Sequence, residues 1–255
     1  MTKIELYNAP QSTCSQRVRF VLHSKALPFE EHRLDLFSGD QLKPDYLALN
    51  PNGVVPTIVD DDAIITDSSV IMEYLEEVYP DGRSFMPTDP VKRAHMRSLM
   101  RFIDEVPAAA IRVPSYNLAF LPHFQAMTEA EFQALADSKP LRREFLLKMG
   151  RTGFPAAEMD EAMRRLARTI ERMDKEIATS GGPYLLGRDP CLADISVMPT
   201  IVRMDDINLS YMWGDKPAIT GWLDAIRAEP AYQPTYYPGS LLTEKYPHLR
   251  QALAS

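Results

Sequence analysis

The sequence has little cysteine and no long apolar run. Its 255 residues include two cysteines, Cys14 and Cys191, which lie far apart and form no CxxC pair. Such a count does not support a disulfide framework, so we expect reduced thiols, as in a cytosolic protein. No uninterrupted apolar stretch approaches the roughly 20 residues that a membrane-spanning helix needs, and no signal-peptide apolar region precedes the first strand pattern. We therefore expect a cytoplasmic protein without a membrane partner.

The sequence also lacks the motifs of several ligand classes. The five histidines are scattered, without an HxxxH pattern or a His/Cys cluster, so we expect no metal site. There is no Walker loop and no GxGxxG pattern. The net charge of −7 argues against nonspecific nucleic-acid binding, because that binding needs Lys and Arg to neutralise phosphates. A local basic pocket for a small anion is still compatible with this charge.

The first eighty residues alternate between strand and helix patterns. We predict strands over residues 4–7, 29–34, 54–59 and 63–66, and helices over residues 16–26, 44–49 and about 68–78. The order is β-α-β-α-β-β-α. The first two strands should be parallel, because a helix joins them, and the last two should form a hairpin, because a tight turn joins them.

The rest of the chain shows helical patterns only. After a segment rich in Pro, Gly, Ser and Asp, we predict helices over residues 91–112, 158–179, 192–202 and 219–228, and then a tail rich in Pro and Tyr. The segment 114–154 shows no clear period. The sequence therefore predicts an α/β domain at residues 1–80, a linker at 81–90 and an all-helical domain at 91–255.

The run Ser12-Thr13-Cys14-Ser15 lies where the first strand turns into the first helix. Backbone N–H groups and the helix dipole favour negative charge at such a turn, so a sulfur anion would be stabilised there. The anion can belong to Cys14 or to a bound thiol that receives a hydrogen bond from Ser12 or Ser15. The structural alternative is that a serine only caps the helix and that Cys14 is a small buried apolar side chain.

Four segments together resemble the cytosolic glutathione S-transferases. They are the opening run, similar to the SxCSxRVR signature of the zeta class, the turn at residues 50–56, similar to NPxGxVP, the pair Asp67-Ser68, and the capping motif at residues 192–195. Each motif is weak alone, and their order and spacing make the signal specific. The resemblance covers nearly the whole chain. It implies a thioredoxin-like βαβαββα domain that binds glutathione, a helical domain that adds a hydrophobic substrate site, and a homodimer.

The resemblance implies catalytic roles in the opening run and a role for the turn at residues 50–56. The hydroxyl of Ser12 or Ser15 would favour the glutathione thiolate; a free thiol has a pKa of about 8.5, and each unit of lowering corresponds to about 1.4 kcal/mol. The backbone of Val55, before a cis Pro56, would pair with the cysteinyl backbone of glutathione as a short added strand.

The resemblance also implies which residues bind the two ends of glutathione and which bind its reaction partner. Asp67 would receive the ammonium group, Ser68 the γ-glutamyl carboxylate and Lys43 the glycyl carboxylate. A hydrophobic substrate would lie between the domains, against Phe102, Ile103, Tyr116 or Phe120. Asp194 is expected to cap its own helix, and we expect a poorer cap there because the family usually has Ser or Thr where this chain has Cys191.

The two halves of the chain indicate different subfamilies. Segments 66–76, 87–94, 153–155 and 160–164 resemble bacterial glutathione-dependent β-etherases that cleave lignin-derived aryl ethers, whose active-site serine falls nearer Ser15 than Ser12. The opening run resembles zeta-class isomerases or dehalogenases. The leading hypothesis is attack of glutathione thiolate on a hydrophobic electrophile, with β-aryl ether cleavage as the specific reaction. The alternatives are thiol transfer or deglutathionylation through Cys14, and a glutathione-binding scaffold without turnover.

Overall fold

The computed structural model describes residues 4–254, apart from the side chains of residues 140 and 251–254. Its first half has the predicted element order. The elements are β1 (Ile4–Asn8), α1 (Thr13–Ser24), β2 (Phe29–Arg33), α2 (Pro44–Leu49, preceded by a 3₁₀ turn at Asp40–Leu42), β3 (Thr57–Asp60), β4 (Ala63–Thr66) and α3 (Ser68–Val78).

The four strands form one mixed sheet in the order β2-β1-β3-β4. β1 runs parallel to β2, with Ile4 opposite Phe29, and antiparallel to β3, with Leu6 opposite Ile58. β3 and β4 form the predicted hairpin. The parallel and antiparallel pairings follow from the connections, because a helix joins β1 to β2 and a tight turn joins β3 to β4. The thioredoxin-like fold class is confirmed.

Helix α1 lies at the centre of the molecule and is buried on all sides. Every residue from Ser15 to Leu22 is buried, including Arg17 and Arg19. The apolar members face the sheet and α3, and the two arginines hydrogen-bond to groups of other elements: Arg17 to Asp104, and Arg19 to the carbonyl of Thr235. Because buried cations need such partners, α1 fits only one arrangement of its neighbours.

The second half is helical. Its helices are α4 (Pro90–Glu105), α5 (Pro107–Ala110), α6 (Arg112–Ser115), α7 (Leu121–Gln125), α8 (Glu129–Asp137), α9 (Arg143–Met149), α10 (Ala156–Ser180), α11 (Leu192–Asp206), α12 (Pro217–Arg227), α13 (Tyr232–Thr235), α14 (Leu242–Lys245) and α15 (Pro247–Ala254), with short turns at Tyr116–Phe120, Pro140–Arg142 and Ser210–Trp213. None of the described helices is both long and apolar enough to cross a bilayer.

The single helix predicted over residues 91–112 was wrong in its length. α4 ends at Glu105, and two short helices follow it. Pro107 lacks an N–H for the helical ladder, and its ring disfavours helical backbone at the residue before it, so the chain breaks at Val106. The break separates α4 from the short helices α5 and α6, both of which pack against α10.

The segment without a clear period forms α7, α8 and α9 around a small aromatic core of its own. The buried members are Phe124, Phe132, Ala136, Leu146, Met149 and Phe154. None of the three helices exceeds nine residues. Helices this short span too few turns for a hydrophobic period to show in the sequence.

The start of α11 depends on Asp194, which is fully buried. Its carboxylate accepts hydrogen bonds from the backbone N–H groups of Leu185 and Cys191 and from the indole N–H of Trp222, at 2.8–2.9 Å. The structural role expected of Asp194 is therefore present. The Cys191 sulfur accepts the Asp194 N–H as the weak cap that the sequence suggested, and its thiol also donates to the Asp194 carboxylate at 3.1 Å.

We expect Asp194→Ala to lower the free energy of unfolding by about 3 kcal/mol or more, because three buried N–H donors lose their acceptor at about 1–3 kcal/mol each. Chemical denaturation followed by circular dichroism measures the loss. Asp224→Ala, an exposed acidic position on α12, is the matched control and should stay within about 0.5 kcal/mol of the wild type. Equal stability of the two variants would contradict the role assigned to Asp194.

Candidate active site

A cavity of about 390 Å³ lies between the α/β half and the helical half. This volume is within the roughly 300–1,000 Å³ that is usual for small-molecule sites. The α/β half contributes residues 9–14, 33–37, 41 and 52–55, and the helical half contributes residues 111, 112, 115, 116, 120, 124, 139, 141, 142, 146, 203, 245 and 246. The cavity therefore joins the opening run to the part of the helical domain that the sequence left unassigned.

The N-terminus of α1 forms one wall of the cavity through Ser12, Thr13 and Cys14. Ser12 is the N-cap, and its hydroxyl oxygen accepts the backbone N–H of Ser15 at 3.2 Å. No hydrogen bond from the Ser12 hydroxyl to another described residue is formed, so its proton is available to an acceptor in the cavity. Cys14 is a free, partly exposed thiol on the same wall.

Ser15 lies behind this wall. Its side chain is fully buried, and its hydroxyl oxygen accepts the backbone N–H of Ala9 at 3.3 Å. The structure thus separates the two serines that the sequence left as alternatives. Ser12 lies on the cavity and Ser15 ties the end of β1 to the first turn of α1.

The turn before β3 presents free backbone groups to the cavity at Val55. Gly53 has a φ of +60°, and a Cβ there would lie 3.0 Å from Leu42, so the turn requires glycine. The Val55–Pro56 peptide bond is cis, as the resemblance implies. Val54 C=O accepts hydrogen bonds from Tyr46 and Asn50, whereas Val55 N–H and C=O pair with no described residue. An extended ligand backbone can pair with them.

Lys43, the residue proposed for the glycyl carboxylate, does not line the cavity. Its side chain is 67% exposed and forms an ion pair with Asp40 at 2.7 Å. The wall instead contains Gln41 and Lys139. Gln41 is buried and its amide oxygen has no described partner. Lys139 donates to Leu36 C=O at 3.4 Å, and burial lowers the pKa of its ammonium group.

Asp67 and Ser68 lie at the N-terminus of α3, outside the wall of the cavity as described. Ser68 is buried, and its hydroxyl accepts a hydrogen bond from Arg17 at 3.3 Å. Asp67 is exposed and caps α3 by accepting the N–H groups of Ser69 and Val70. Its φ of +70° is unusual for a residue with a side chain, and such backbone strain concentrates at functional positions.

Two of the four predicted substrate residues lie elsewhere. Tyr116 and Phe120 line the cavity, with their rings 4.8 Å apart. Phe102 is covered by Arg172 of α10 at 4.3 Å, and Ile103 is buried in the main core. Phe102 and Ile103 do not line this cavity, because both lie on the side of α4 that faces α10.

The cavity wall carries much more positive charge than negative charge. Its described cationic residues are Arg33, Arg112, Lys139, Arg142, Arg203 and Lys245, and its described acidic residue is Asp35. Sequence analysis missed all of them. The only signal in the sequence was the presence of basic residues among aromatic ones in residues 112–145 of an acidic chain.

The described residues also contain one group of metal-ligand types, Glu5, Glu30 and His32, on β1 and β2. His32 Nε2 lies 3.1 Å from Glu5 Oε2 and 3.6 Å from Glu30 Oε1. None of the three residues lines the cavity. The sequence did not connect them, because the pairing of β1 with β2 is what brings Glu5 and Glu30 together.

The cavity suits a peptide-like thiol with more than one carboxylate. Ser12 and the N-terminus of α1 offer hydrogen bonds and a favourable dipole to a thiolate. Val55 offers a backbone donor and acceptor, and Lys139, from the helical half, offers a cation. Tyr116 and Phe120 offer an apolar surface to a second ligand. The residues present therefore fit glutathione together with an apolar reaction partner.

Comparisons with known proteins agree with this geometry. The family model of the glutathione S-transferase N-terminal domain matches residues 11–78, and that of the C-terminal domain matches residues 156–255. Protein LigF of Sphingobium sp. is 29% identical over 89% of this chain and 91% of its own length. A probable maleylacetoacetate isomerase of Caenorhabditis elegans is 31% identical over 80% of each chain.

Solved structures agree as well. The crystal structure of the β-etherase LigF from Sphingobium sp. superimposes with a TM-score of 0.82 at 27% identity, covering 91% of this chain and 98% of that chain. A glutathione transferase homologue from sulfitobacter, solved with bound glutathione, gives a TM-score of 0.63 at 25% identity, covering 91% of this chain and 96% of that chain. Since both family models match and together span most of the sequence, the chain belongs to the glutathione S-transferase family.

Proposed function

We propose that this glutathione S-transferase uses glutathione thiolate to cleave β-aryl ethers. The observation that carries the proposal is the Ser12 hydroxyl, which lies on the wall of the interdomain cavity at the N-terminus of α1 with its proton uncommitted. In the reaction, the thiolate sulfur forms a bond to the carbon that bears the ether oxygen. The C–O bond breaks, its electron pair leaves with the aryloxide, and water supplies a proton to that product.

Ser12 has the role of stabilising the thiolate. A neutral hydroxyl that donates to an anionic sulfur favours the anion over the thiol and so increases the fraction of nucleophile at neutral pH. The N–H groups of the first turn of α1 act in the same direction. Ser15 has no such role in this proposal, because its hydroxyl is buried and bonded to Ala9.

The remaining groups hold glutathione. Val55 pairs with the cysteinyl backbone, Gln41 and Lys139 hold the glycyl end, and the γ-glutamyl end extends toward Asp67 and Ser68. Asp67 supports this placement, because the residue is exposed and its carboxylate caps α3 through Oδ1, which leaves Oδ2 to accept a hydrogen bond from an ammonium group.

The choice of β-aryl ethers rests on the likeness to LigF along nearly the whole chain and on the aromatic lining of the cavity. The likeness to a maleylacetoacetate isomerase supports isomerisation or dehalogenation as a second candidate. Thiol transfer through Cys14 is a third candidate, favoured by the position of that thiol on the cavity wall.

The proposal extends to domain roles, assembly and location. Residues 1–80 bind glutathione, residues 81–90 link the domains, and residues 91–255 complete the substrate site. Exposed apolar side chains on β4, α3 and α4 — Ile64, Val70 and Val91 — support a homodimer, because large exposed apolar side chains favour burial between subunits. Free Cys14 and Cys191 support a cytoplasmic location, where thiols stay reduced.

The test of the reaction class is a glutathione-dependent screen of β-aryl ethers, haloacids, maleyl ketones and mixed disulfides. We expect release of a phenol and formation of a glutathione thioether from a β-aryl ether, detected by liquid chromatography with mass spectrometry. Cys14→Ser should retain at least about half of this activity, because the thiolate belongs to glutathione in this mechanism. Turnover of mixed disulfides alone, abolished by Cys14→Ser, would establish the thiol-transfer alternative instead.

Ser12→Ala should lower kcat/KM by about 10- to 100-fold at neutral pH, the effect of losing a hydrogen bond of about 1.5–3 kcal/mol to an anion. Its pH profile should move upward by roughly one to two units, because without the donor the bound thiol ionises at higher pH. Ser15→Ala is the matched control: we expect a less stable protein whose folded fraction keeps the wild-type pH profile. An unshifted profile for Ser12→Ala with a shifted one for Ser15→Ala would reverse the assignment.

Lys139→Gln should raise the KM for glutathione by about tenfold or more, the effect of losing a charge-assisted hydrogen bond to a carboxylate. Lys43→Gln removes the same charge from an exposed position paired with Asp40 and should leave KM unchanged. Initial rates at varied glutathione concentration measure both. If Lys43→Gln raises KM and Lys139→Gln does not, the assignment from the sequence was correct and this one fails.

A further inference from the structure

The wall of the cavity is mainly positively charged, although the protein as a whole is negatively charged. The chain has a net charge of −7, yet six basic residues and one acidic residue are found among the described residues that line the cavity. Local charge of one sign in a cleft raises the concentration of ligands of the opposite sign there.

Several of these cations are used by the fold. Arg33 pairs with Glu31 at 2.8 Å and lies over the ring of Tyr237. Arg203 donates to Gln11 C=O at 2.5 Å, which fixes the loop before α1 to α11. Lys139 contacts the carbonyl of Leu36 and lies on the side of the cavity proposed for the glycyl end of glutathione. These contacts explain why three of the cations lie on the cavity wall, and no bound electrophile is needed to explain them.

No such contact explains why Arg112 and Arg142 lie on the cavity wall. Arg112 is half-buried at the start of α6, and its guanidinium forms no hydrogen bond or ion pair with the part of the chain that the structure describes. Burial lowers the pKa of its guanidinium, and the nearby charge of Arg142 lowers it further. Arg142 donates at 3.1 Å to the adjoining carbonyl of Leu141. The described residues give neither guanidinium a carboxylate partner, and two neighbouring cations repel each other, so an anion that binds between them is favoured.

The surroundings of the two arginines are aromatic. Tyr116 follows α6 directly, and the charges of both arginines act on its hydroxyl group. The Tyr116 ring contacts Phe120 at 4.8 Å and stacks parallel to Phe124 at 6.0 Å, and all three rings line the cavity. A ligand that fits this part of the cavity therefore has a flat apolar body and an anionic group at one end.

We propose that the enzyme selects aromatic electrophiles that carry a carboxylate, and that Arg112 and Arg142 bind this carboxylate while Tyr116, Phe120 and Phe124 hold the ring. The inference rests on the proposed function, since it takes the glutathione sulfur to lie at Ser12. Arg112 and Arg142 are specificity residues in this arrangement. They set which electrophile binds and take no part in forming the thiolate.

Calorimetry with two matched conjugates tests the inference without turnover. The ligands are S-(4-carboxybenzyl)glutathione and S-(4-carbamoylbenzyl)glutathione, which have nearly the same shape and differ by one negative charge, together with their meta isomers and free glutathione. We expect the better carboxylate isomer to bind about 10- to 100-fold more tightly than its amide, the effect of charge-assisted hydrogen bonds to guanidinium.

Arg112→Gln and Arg142→Gln should each reduce the preference for the carboxylate at least about tenfold while leaving the affinity for free glutathione unchanged. Arg164→Gln removes an equal charge from an exposed position on α10 paired with Glu161, and should leave the preference intact. Circular dichroism spectra and melting temperatures of the variants show that they are folded.

The following outcomes would contradict either this inference or the proposed function. Equal binding of carboxylate and amide, with tight binding of glutathione, overturns the inference and leaves the proposed function standing. Loss of free glutathione binding in Arg112→Gln overturns the inference as well, because the arginine then holds a carboxylate of glutathione. If neither conjugate nor glutathione binds the wild-type protein, the proposed function itself fails.

Discussion

The ion pair between Arg17 and Asp104 fixes the position of α1, on which the active site depends. Arg17 Nη1 lies 2.5 Å from Asp104 Oδ1 and 3.3 Å from Ser68 Oγ, and Asp104 Oδ2 accepts the Ser69 hydroxyl at 2.7 Å. One buried cation thereby joins α1 to α3 and α4. Because a buried charge has few alternative partners, the first turn of α1, which carries Ser12, is held in one position relative to both domains.

With α1 held in this position, the cavity has two chemically different sides. The α/β side provides the helix N-terminus and the free backbone of Val55, which suit a thiolate and a peptide. The helical side provides Tyr116 with its neighbouring aromatic rings and the arginines Arg112 and Arg142, which form no ion pair with the described residues. The two sides of the cavity are therefore formed by different elements with different charge and polarity.

Much of the fold was predictable because its signals are local. The β-α-β-α-β-β-α order followed from the alternation of periods 2 and 3.6, and the pairing of strands from the length of each connection. Sequence analysis missed the break at Val106, although Pro107 is a local signal for it. It also missed α7–α9, because none of them is longer than nine residues. The sequence could not show whether Ser12 or Ser15 lies on the cavity, since both positions are compatible with a helix start.

The sequence by itself determined the family, the two-part architecture and the strand-to-helix turn that carries Ser12 and Cys14, because these depend on residues that are neighbours in the chain. Only the tertiary structure decided that Ser12 and not Ser15 lies on the cavity, that Lys139 and not Lys43 lies on its wall, and that Arg112 lies near Arg142. These are distances between side chains far apart in sequence. They are set by how the helical half and the α/β half meet at the cavity, and no local pattern in the sequence specifies that packing.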